Sequence, residues 1–222
     1  RSRDHTENML FQNKNSIKIH KKKNKKIQVF GKKTLKPINI NVPNDPSSAA
    51  FFTALTLLNK NSSLKIKSVG LNKTRIGFYK LLKKHGANIK FESLKKQNNE
   101  LRGNIIVKSS KLKPLKSSKE YYVSATDEYP ILFVIASFIK GTSVFSGIKD
   151  LANKESNRIV EMQKILRQVG IKSISSNNKI KIYGSKRINF SKRKVFVPNL
   201  GDHRICMSAF ILGILSGVKT RI

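Results

Sequence analysis

The feature that most constrains this chain is an internal repeat of about 80 residues. Asp45, Asp127 and Asp202 each stand directly before an apolar run with helical spacing, and the intervals between them are 82 and 75 residues. These runs cover residues 46–58, 128–139 and 203–215. The interval is longer than the repeats of the common solenoids. Alternation of helices and strands on this scale predicts an α/β protein built from copies of one unit.

Each copy has the same order of elements. A turn and a strand follow each apolar run, at residues 63–70, 142–147 and 217–222. A second helix then begins around a basic cluster, over 73–87 in one copy and 154–171 in the next. Two short strands complete the unit, at 88–92 with 104–108 and at 172–175 with 179–183. The unit is therefore predicted to run helix, strand, helix, strand, strand.

The repeat also predicts how the two ends of the chain relate to the unit. Arg3, Arg75 and Arg158 hold the same place, 13 or 14 residues before an isoleucine of a following strand or turn. The first ten residues are therefore expected to be the second helix of a unit that starts upstream. The copy that begins at Asp202 is expected to need another Arg-bearing helix beyond Ile222. We expect the chain to begin and end in mid-unit, as part of something longer.

Basic residues cluster where these helices are predicted to begin. The N-terminus of a helix attracts anions through its free N–H groups and its dipole, so a cation there is unfavourable on its own. If the copies surround a common axis, several helix N-termini converge on one place. A shared anionic ligand would explain the positions of Arg3, Arg75, Lys154, Arg158 and Arg204.

Net charge suggests nucleic acid as a partner, but the distribution of charge does not favour it. The chain carries 46 basic and 12 acidic residues, a net charge of +34. Of the basic residues 36 are Lys, scattered through every segment, and the dense run at 20–26 is predicted to be a hairpin loop. The chain has neither an RNP-like aromatic strand nor zinc-finger spacing. We expect weak, nonspecific attraction to nucleic acid and no specific site.

The cysteine content and the hydropathy of the sequence indicate the cellular environment of the chain. Cys206 is the single cysteine, so an internal disulfide framework is excluded and a reducing, cytoplasmic environment is expected. The apolar stretch over the nine residues 131–139, which includes Ser137, is too short to cross a bilayer. His5, His20 and His85 lack the spacing of metal ligands, so no metal or other cofactor is expected.

Five stretches of the sequence resemble the 5-enolpyruvylshikimate-3-phosphate synthases, in that family's order and nearly its spacing. The resemblance is to the bacterial type and covers essentially the whole chain, with the KES-x-R and GDHR elements the most specific. The stretches are RDHTENML at 3–10, VPNDPSSAAFF at 42–52, the segment 70–89, the segment 127–159 and GDHRICMSAF at 201–210.

The resemblance implies a fold. Members of the family have two lobes, each made of three βαβαββ units arranged as an inside-out α/β barrel. By this likeness, residues 1–41 are a partial unit that closes the first lobe. Residues 42–222 form most of the second lobe, as units 42–122 and 123–197 and the partial unit 198–222. Family members are roughly twice this length, so the isolated chain is expected to be inactive or a poor catalyst.

The resemblance also implies a reaction. The family transfers the enolpyruvyl group of phosphoenolpyruvate to the 5-hydroxyl of shikimate 3-phosphate and releases phosphate by addition–elimination, a step of aromatic amino acid biosynthesis. Asp127 would accept the proton of the attacking hydroxyl, because a hydroxyl needs a base within reach to become a nucleophile. Glu155, or a lysine of the family's C-terminal tail that has no counterpart here, would protonate the methylene carbon of phosphoenolpyruvate. No cofactor is implied, and the full-length enzyme is expected to be a monomer.

Five basic side chains are implied to bind the two anionic substrates. Lys154 and Arg3 would bind the phosphate of shikimate 3-phosphate. Arg158 and Arg204 would hold phosphoenolpyruvate, since a planar guanidinium suits carboxylate and phosphate oxygens in pairs. His203 would donate a hydrogen bond to the departing phosphate.

Several of these positions also have purely structural interpretations. Asp127, like Asp45 and Asp202, is predicted to cap the helix that follows it, and capping is compatible with catalysis. Lys154 and Glu155 are predicted to open the second helix of their unit, where a Glu is favourable in any case. The remaining expectations are that Ser47 and Ser48 support the cap, Arg75 is structural, Cys206 is a core residue and Asn157 alters the charge near the site.

Three other functions remain as alternatives. A related enolpyruvyl transferase that acts on UDP-N-acetylglucosamine is disfavoured by the DHTE, DEYP and KES-x-R stretches and by the lack of an evident cysteine in an exposed loop. A basic nucleic-acid-binding module would use the charge of +34. A noncatalytic remnant is disfavoured because the candidate residues all remain chemically competent types.

Overall fold

The structure is a computed structural model that describes residues 3–10, 13, 16–20, 26–185, 194–198 and 201–222. The hairpin loop predicted within residues 20–26 lies mostly outside these ranges. The α-helices are α1 (His5–Met9), α2 (Pro46–Leu58), α3 (Gly77–Lys84), α4 (Lys119–Ala125), α5 (Tyr129–Ser137), α6 (Arg158–Gln168) and α7 (His203–Ser216). The strands are β1 (Ile17–His20), β2 (Lys26–Val29), β3 (Ser63–Gly70), β4 (Asn88–Gln97), β5 (Glu100–Lys108), β6 (Lys116–Ser117), β7 (Gly141–Ser146), β8 (Lys172–Ser176), β9 (Lys179–Gly184), β10 (Lys194–Phe196) and β11 (Lys219–Arg221).

Local sequence signals fix the starts of α2 and α7. The carboxylate of Asp45 accepts hydrogen bonds from the backbone N–H groups of Ser47 and Ser48, and Pro46 occupies the first turn of α2. The carboxylate of Asp202 accepts from the backbone N–H groups at the start of α7 in the same way. These contacts satisfy N–H groups that have no partner inside the helix. Both predicted caps are confirmed.

The repeat is visible in the order of the strands. β5 lies between β3 and β4, and β9 lies between β7 and β8, with antiparallel pairing throughout both sets. In each of these sets of three strands, the strand that comes last in sequence is therefore the central one. The two copies fold alike because the same two-strand ending follows the second helix in each.

Each copy also has a parallel strand at its beginning, which the sequence did not predict. β6 pairs in parallel with β7, and β10 pairs in parallel with β11. In the earlier copy this strand is reduced to one parallel bridge between Asn44 and Val69. Adding it gives the order β-α-β-α-β-β, which is the unit that the family resemblance implies.

Helices α2, α5 and α7 pack against one another inside the molecule. All nine residues of α5 are buried, which explains why its sequence is apolar on every side. Ring contacts with centroids 5.0–6.0 Å apart join Tyr129, Phe133 and Phe145 in an edge-on arrangement. The first helices of the three copies thus form a common core.

A helix that the sequence did not predict precedes α5. α4 is followed directly by a 3-10 turn over Thr126–Glu128, and α5 begins only at Tyr129. The prediction that Asp127 caps a helix is therefore wrong. Asp127 lies inside the 3-10 turn, and its carboxylate is held by arginine side chains instead.

The start of α6 also differs from the prediction. Lys154 and Glu155 were expected in the helix, but α6 begins at Arg158 and both residues lie before it. Asn157 is the capping residue, and its side-chain oxygen accepts a hydrogen bond from the backbone N–H of Val160. Within the described residues, no helix is long and apolar enough to cross a membrane.

Candidate active site

The N-termini of α2, α5 and α7 meet at one end of the helical core. The hydroxyl of Ser47, in the first turn of α2, donates a hydrogen bond to the carboxyl of Glu128, immediately before α5. Arg204, in the first turn of α7, interacts electrostatically with Asp127 and Glu128. The copies therefore converge where the repeat predicts that they should.

Asp127 lies among arginines from different parts of the chain. Its Oδ2 is 2.5 Å from Nη2 of Arg3 and 3.9 Å from Nη1 of Arg75. Burial of the carboxyl acts to raise its pKa, but the positive charges of Arg3, Arg204 and Arg75 outweigh burial and lower it. Asp127 is therefore ionised at neutral pH, and its side chain is still 18% exposed to solvent. An ionised, accessible carboxylate can accept a proton.

Arg75 connects the first copy to this carboxylate. Its Nη2 donates to the hydroxyl of Ser47 at 2.7 Å and lies 3.3 Å from Oδ1 of Asp45. Burial acts to raise the pKa of Asp45, but its hydrogen bonds and Arg75 together lower it. The sequence predicts only a structural role for Arg75. Its position in the repeat does not reveal that its guanidinium lies near Asp127.

Glu128 is a buried acid of the site that no sequence pattern indicated. The residue is only 3% exposed to solvent. Burial raises its pKa to about 7, and the neighbouring negative charge of Asp127 acts in the same direction. Ser47, Arg75 and Arg204 partly oppose the shift. Two consecutive carboxyls thus titrate far apart, a pattern typical of sites where acids and bases act.

A second group of charges lies where α6 and α7 begin. Arg158 is 1% exposed and donates from Nε to Oδ2 of Asp202 at 2.9 Å and from Nη2 to Oδ1 at 3.2 Å. Its Nη2 also donates to Glu155 at 2.6 Å. Ser156 donates to the same Asp202 carboxylate at 2.8 Å. Burial acts to raise the pKa of Asp202, but these hydrogen bonds and the charge of Arg158 lower it.

The other candidate residues lie at the rim of this second group. Lys154 and Glu155 are exposed, on the segment between a 3-10 turn at Lys149–Asn153 and α6. His203 is exposed and is the first residue of α7, next to Arg204. Cys206, expected in the core, is partly buried and packs against it.

Two guanidinium nitrogens in the site are buried without an acceptor. Among the described residues, Nη1 of Arg158 and Nη1 of Arg204 have no hydrogen-bond partner. A buried donor on a charged group is costly to leave unsatisfied. Both belong to arginines that the family resemblance assigns to an anionic substrate.

A cleft on the surface overlaps the site only in part. It has a volume of about 390 Å³ and passes Asp45 and Arg75, but the described residues that line it do not include Asp127, Arg158 or Arg204. In the described part of the chain, no group of three His, Cys, Asp or Glu side chains is arranged to hold a metal ion.

Comparison with known proteins adds independent findings. The family model "EPSP synthase (3-phosphoshikimate 1-carboxyvinyltransferase)" matches residues 1–222. The 3-phosphoshikimate 1-carboxyvinyltransferase of Clostridium tetani is 37% identical over 222 residues, which is 100% of this chain and 49% of that protein. The enzyme of the same name from Aquifex aeolicus is 36% identical over 216 residues, 96% of this chain and 49% of that protein.

Solved structures give the same answer for the fold. An EPSP synthase from Acinetobacter baumannii superposes with a TM-score of 0.84 at 32% identity, over 99% of this chain and 49% of that one. The enolpyruvyl transferase NikO from Streptomyces tendae superposes with a TM-score of 0.68 at 12% identity, which supports the fold alone. The chain has the α/β fold of enolpyruvyl transferases and spans about half the length of the relatives it matches.

Proposed function

Because the chain belongs to the EPSP synthase family, we propose that it provides the half of a 3-phosphoshikimate 1-carboxyvinyltransferase that carries Asp127, Glu155, Arg158 and Arg204. The reaction transfers the enolpyruvyl group of phosphoenolpyruvate to the 5-hydroxyl of shikimate 3-phosphate and releases phosphate. It is a step in the biosynthesis of aromatic amino acids.

The observation that carries this proposal is the pair of unsatisfied arginine nitrogens. Nη1 of Arg158 and Nη1 of Arg204 are buried donors without an acceptor among the described residues. Carboxylate or phosphate oxygens of phosphoenolpyruvate would satisfy both, and charge-assisted bonds of this type are stronger than neutral ones. The bond of Arg158 to Asp202 holds its guanidinium in place before any substrate arrives, so little entropy is lost on binding.

The proposed chemistry assigns separate roles to two carboxyls. The hydroxyl oxygen of shikimate 3-phosphate attacks the carbon of phosphoenolpyruvate that bears the phosphate, and Asp127 takes the hydroxyl proton. Glu155 gives a proton to the methylene carbon, which becomes a methyl group. Phosphate then leaves the tetrahedral intermediate while one methyl proton returns to the Glu155 carboxylate, which restores the double bond.

Three further residues would bind the phosphate groups. Arg3 and Lys154 would contact the phosphate of shikimate 3-phosphate. His203, exposed at the first residue of α7, would donate to the departing phosphate. Arg3 already pairs with Asp127, so a phosphate that attracted Arg3 would also free the base for the hydroxyl.

The division into lobes is part of the same proposal. Residues 1–41 would complete a first lobe and 42–222 would form most of a second, with units at 42–122, 123–197 and 198–222. The substrates would bind between the lobes of a cytoplasmic monomer. Surrounding two anions with fixed cations and excluding water would supply much of the rate.

The test uses a composite enzyme, because the chain spans about half of its relatives. The 222 residues replace the matching part of the Clostridium tetani enzyme, and release of phosphate is measured with both substrates. We expect turnover, and we expect Asp127→Asn to reduce kcat by about 10²- to 10⁴-fold. Glu92→Gln, an exposed change on β4, is the matched control and should leave kcat unchanged.

Three outcomes would contradict the proposal. Turnover close to normal in Asp127→Asn would show that Asp127 is not the base. Turnover with UDP-N-acetylglucosamine in place of shikimate 3-phosphate would favour the related transferase. A well-folded composite that binds duplex DNA tightly at physiological salt, and turns over neither substrate pair, would favour a nucleic-acid-binding module.

A further inference from the structure

Glu128 is a carboxyl in the site that the proposed reaction does not use. It stands immediately before α5, yet within the described residues its side chain makes no capping hydrogen bond to that helix. Its Oε1 accepts a hydrogen bond from the hydroxyl of Ser47 on α2. A buried acid is costly unless something holds it, so its contacts indicate what it does.

Those contacts lead back to the neighbouring carboxylate. The Ser47 hydroxyl that donates to Glu128 accepts a hydrogen bond from Nη2 of Arg75 at 2.7 Å. Nη1 of the same guanidinium lies 3.9 Å from Oδ2 of Asp127. A chain of contacts thus runs from the Glu128 carboxyl through the Ser47 hydroxyl to the Arg75 guanidinium, which lies near the Asp127 carboxylate.

Charged and titratable groups face Glu128 from several elements. The 3-10 turn contributes Asp127, the segment before α3 contributes Arg75, and α7 contributes Arg204. Tyr79 of α3 and Tyr129 of α5 also interact with it electrostatically. The hydroxyl of Tyr79 is occupied, since it donates to the backbone oxygen of Pro46 at 2.7 Å.

We propose that Glu128 is a positioning residue for Asp127, which fixes Arg75 through Ser47 and, when ionised, offsets the surrounding arginines so that Asp127 accepts a proton more readily. This inference rests on the proposed function, in which Asp127 is the base. Arginines alone would make Asp127 a weak base, because each favours its ionised form. The negative charge of an adjacent carboxylate acts in the opposite direction.

Ionisation of Glu128 falls in the physiological range. Its pKa of about 7 means that the carboxyl gains its charge as the pH rises through neutrality. Asp127 is already ionised there, because its own pKa is lowered. A rise in kcat around neutral pH would then report Glu128 and not the base itself.

The first measurement needs no turnover. In the 222-residue chain, ¹³C NMR follows the side-chain carboxyl carbons of Glu128 and Asp127 during a pH titration. We expect Glu128 to titrate with a midpoint of about 7, and the Asp127 carbon to show a second inflection at the same pH. In Glu128→Gln we expect that inflection to disappear, whereas the Asp127 midpoint should change little, because Glu128 is already protonated and neutral at the low pH where Asp127 titrates.

The second measurement uses the composite enzyme described above. Glu128→Gln keeps the shape of the side chain, and we expect kcat to fall by about tenfold, with a much smaller change in KM and without the rise around neutral pH. Ser47→Ala cuts the link to Arg75 but leaves both carboxyls, so it should lower kcat and retain the inflection. Glu92→Gln is again the matched control.

The outcomes separate this inference from the proposed function. Glu128 titrating in the range of an exposed glutamate, or an Asp127 carbon that does not respond to it in wild-type protein, would overturn the inference even if a variant failed to fold. A kcat and pH profile unchanged in Glu128→Gln would also overturn it. Normal turnover in Asp127→Asn, with the NMR coupling intact, would refute the proposed base, and with it the inferred role of Glu128 in positioning it.

Discussion

Arg158 donates two hydrogen bonds to the carboxylate of Asp202, 44 positions later in the chain, and both side chains are almost completely buried. The same carboxylate caps α7, so one acid fixes both the start of a helix and the orientation of a guanidinium. In the first copy, Asp45 and Arg75 form a similar but more exposed pair. The two pairs allow burial to be tested with the chemistry held constant.

Removing the buried acid should cost far more stability than removing the exposed one. Asp202→Ala removes the buried partner of Arg158 and leaves only the exposed Glu155 to offset its charge, and we expect it to lower the free energy of unfolding by about 3–5 kcal/mol. Asp45→Ala removes a cap whose side chain is 43% exposed and should cost about 1 kcal/mol. Urea unfolding of the two variants measures both values. Equal losses would show that Arg158 does not depend on Asp202.

Glu128 should make the protein less stable as the pH rises towards neutrality. Its pKa is raised from 4.5 to about 7 in the folded state, so the folded chain holds a proton that the unfolded chain releases between these values. Its contribution to stability is therefore full below about pH 4.5 and lost as the pH rises through about 7. The loss is about 3 kcal/mol. Urea unfolding of wild type and Glu128→Gln across this range isolates the effect, and a constant difference between them would contradict it.

Arg204 should not be replaceable by lysine. Arg204→Lys keeps the positive charge but removes the Nη1 donor that has no acceptor among the described residues. In the composite enzyme we expect the Kd for phosphoenolpyruvate to rise by about tenfold or more, measured by calorimetry. Arg102→Lys is the control, because Arg102 lies on β5 and hydrogen-bonds to Asn41 rather than to any proposed substrate-binding residue. A similar change in both variants would argue against a specific contact.

Asn157 should act as a cap that aspartate can replace. Its side-chain oxygen accepts from the backbone N–H of Val160 at 3.2 Å. Asn157→Ala removes that acceptor and should lower stability by about 1 kcal/mol. Asn157→Asp keeps the acceptor and adds a negative charge at the N-terminus of α6, so its stability should match or exceed that of wild type. Thermal unfolding followed by circular dichroism compares them, and equal losses in both variants would rule out a capping role.

What the sequence could predict depended on short-range signals. The bounds of α2 and β3 match the prediction because an Asp-Pro start and alternating polarity act within a few residues. The caps at Asp45 and Asp202 were predicted for the same reason. The repeat allowed the convergence of the helix N-termini to be predicted, because equivalent positions in units around a common axis face that axis.

What it could not predict depended on contacts between distant segments. Asp127 fails as a cap because Arg3, 124 positions earlier, and Arg75 draw its carboxylate away. The burial of Glu128 arises from the packing of α2 against α5, which no local sequence pattern indicates. α4 contains Tyr and Val, which do not favour short helices, and it is supported by a ring contact between Tyr122 and Tyr129 at 5.5 Å.

The order of strands gives the many lysines a role beyond net charge. β4 is an outer strand of its sheet, and its exposed Lys90, Lys95 and Lys96 lie along that outer edge. An edge strand presents unpaired backbone groups that invite another chain to add a strand, and lysines discourage this because two such edges repel each other. The lysines of β4 would then keep copies of this repetitive, strand-rich chain from joining edge to edge into aggregates.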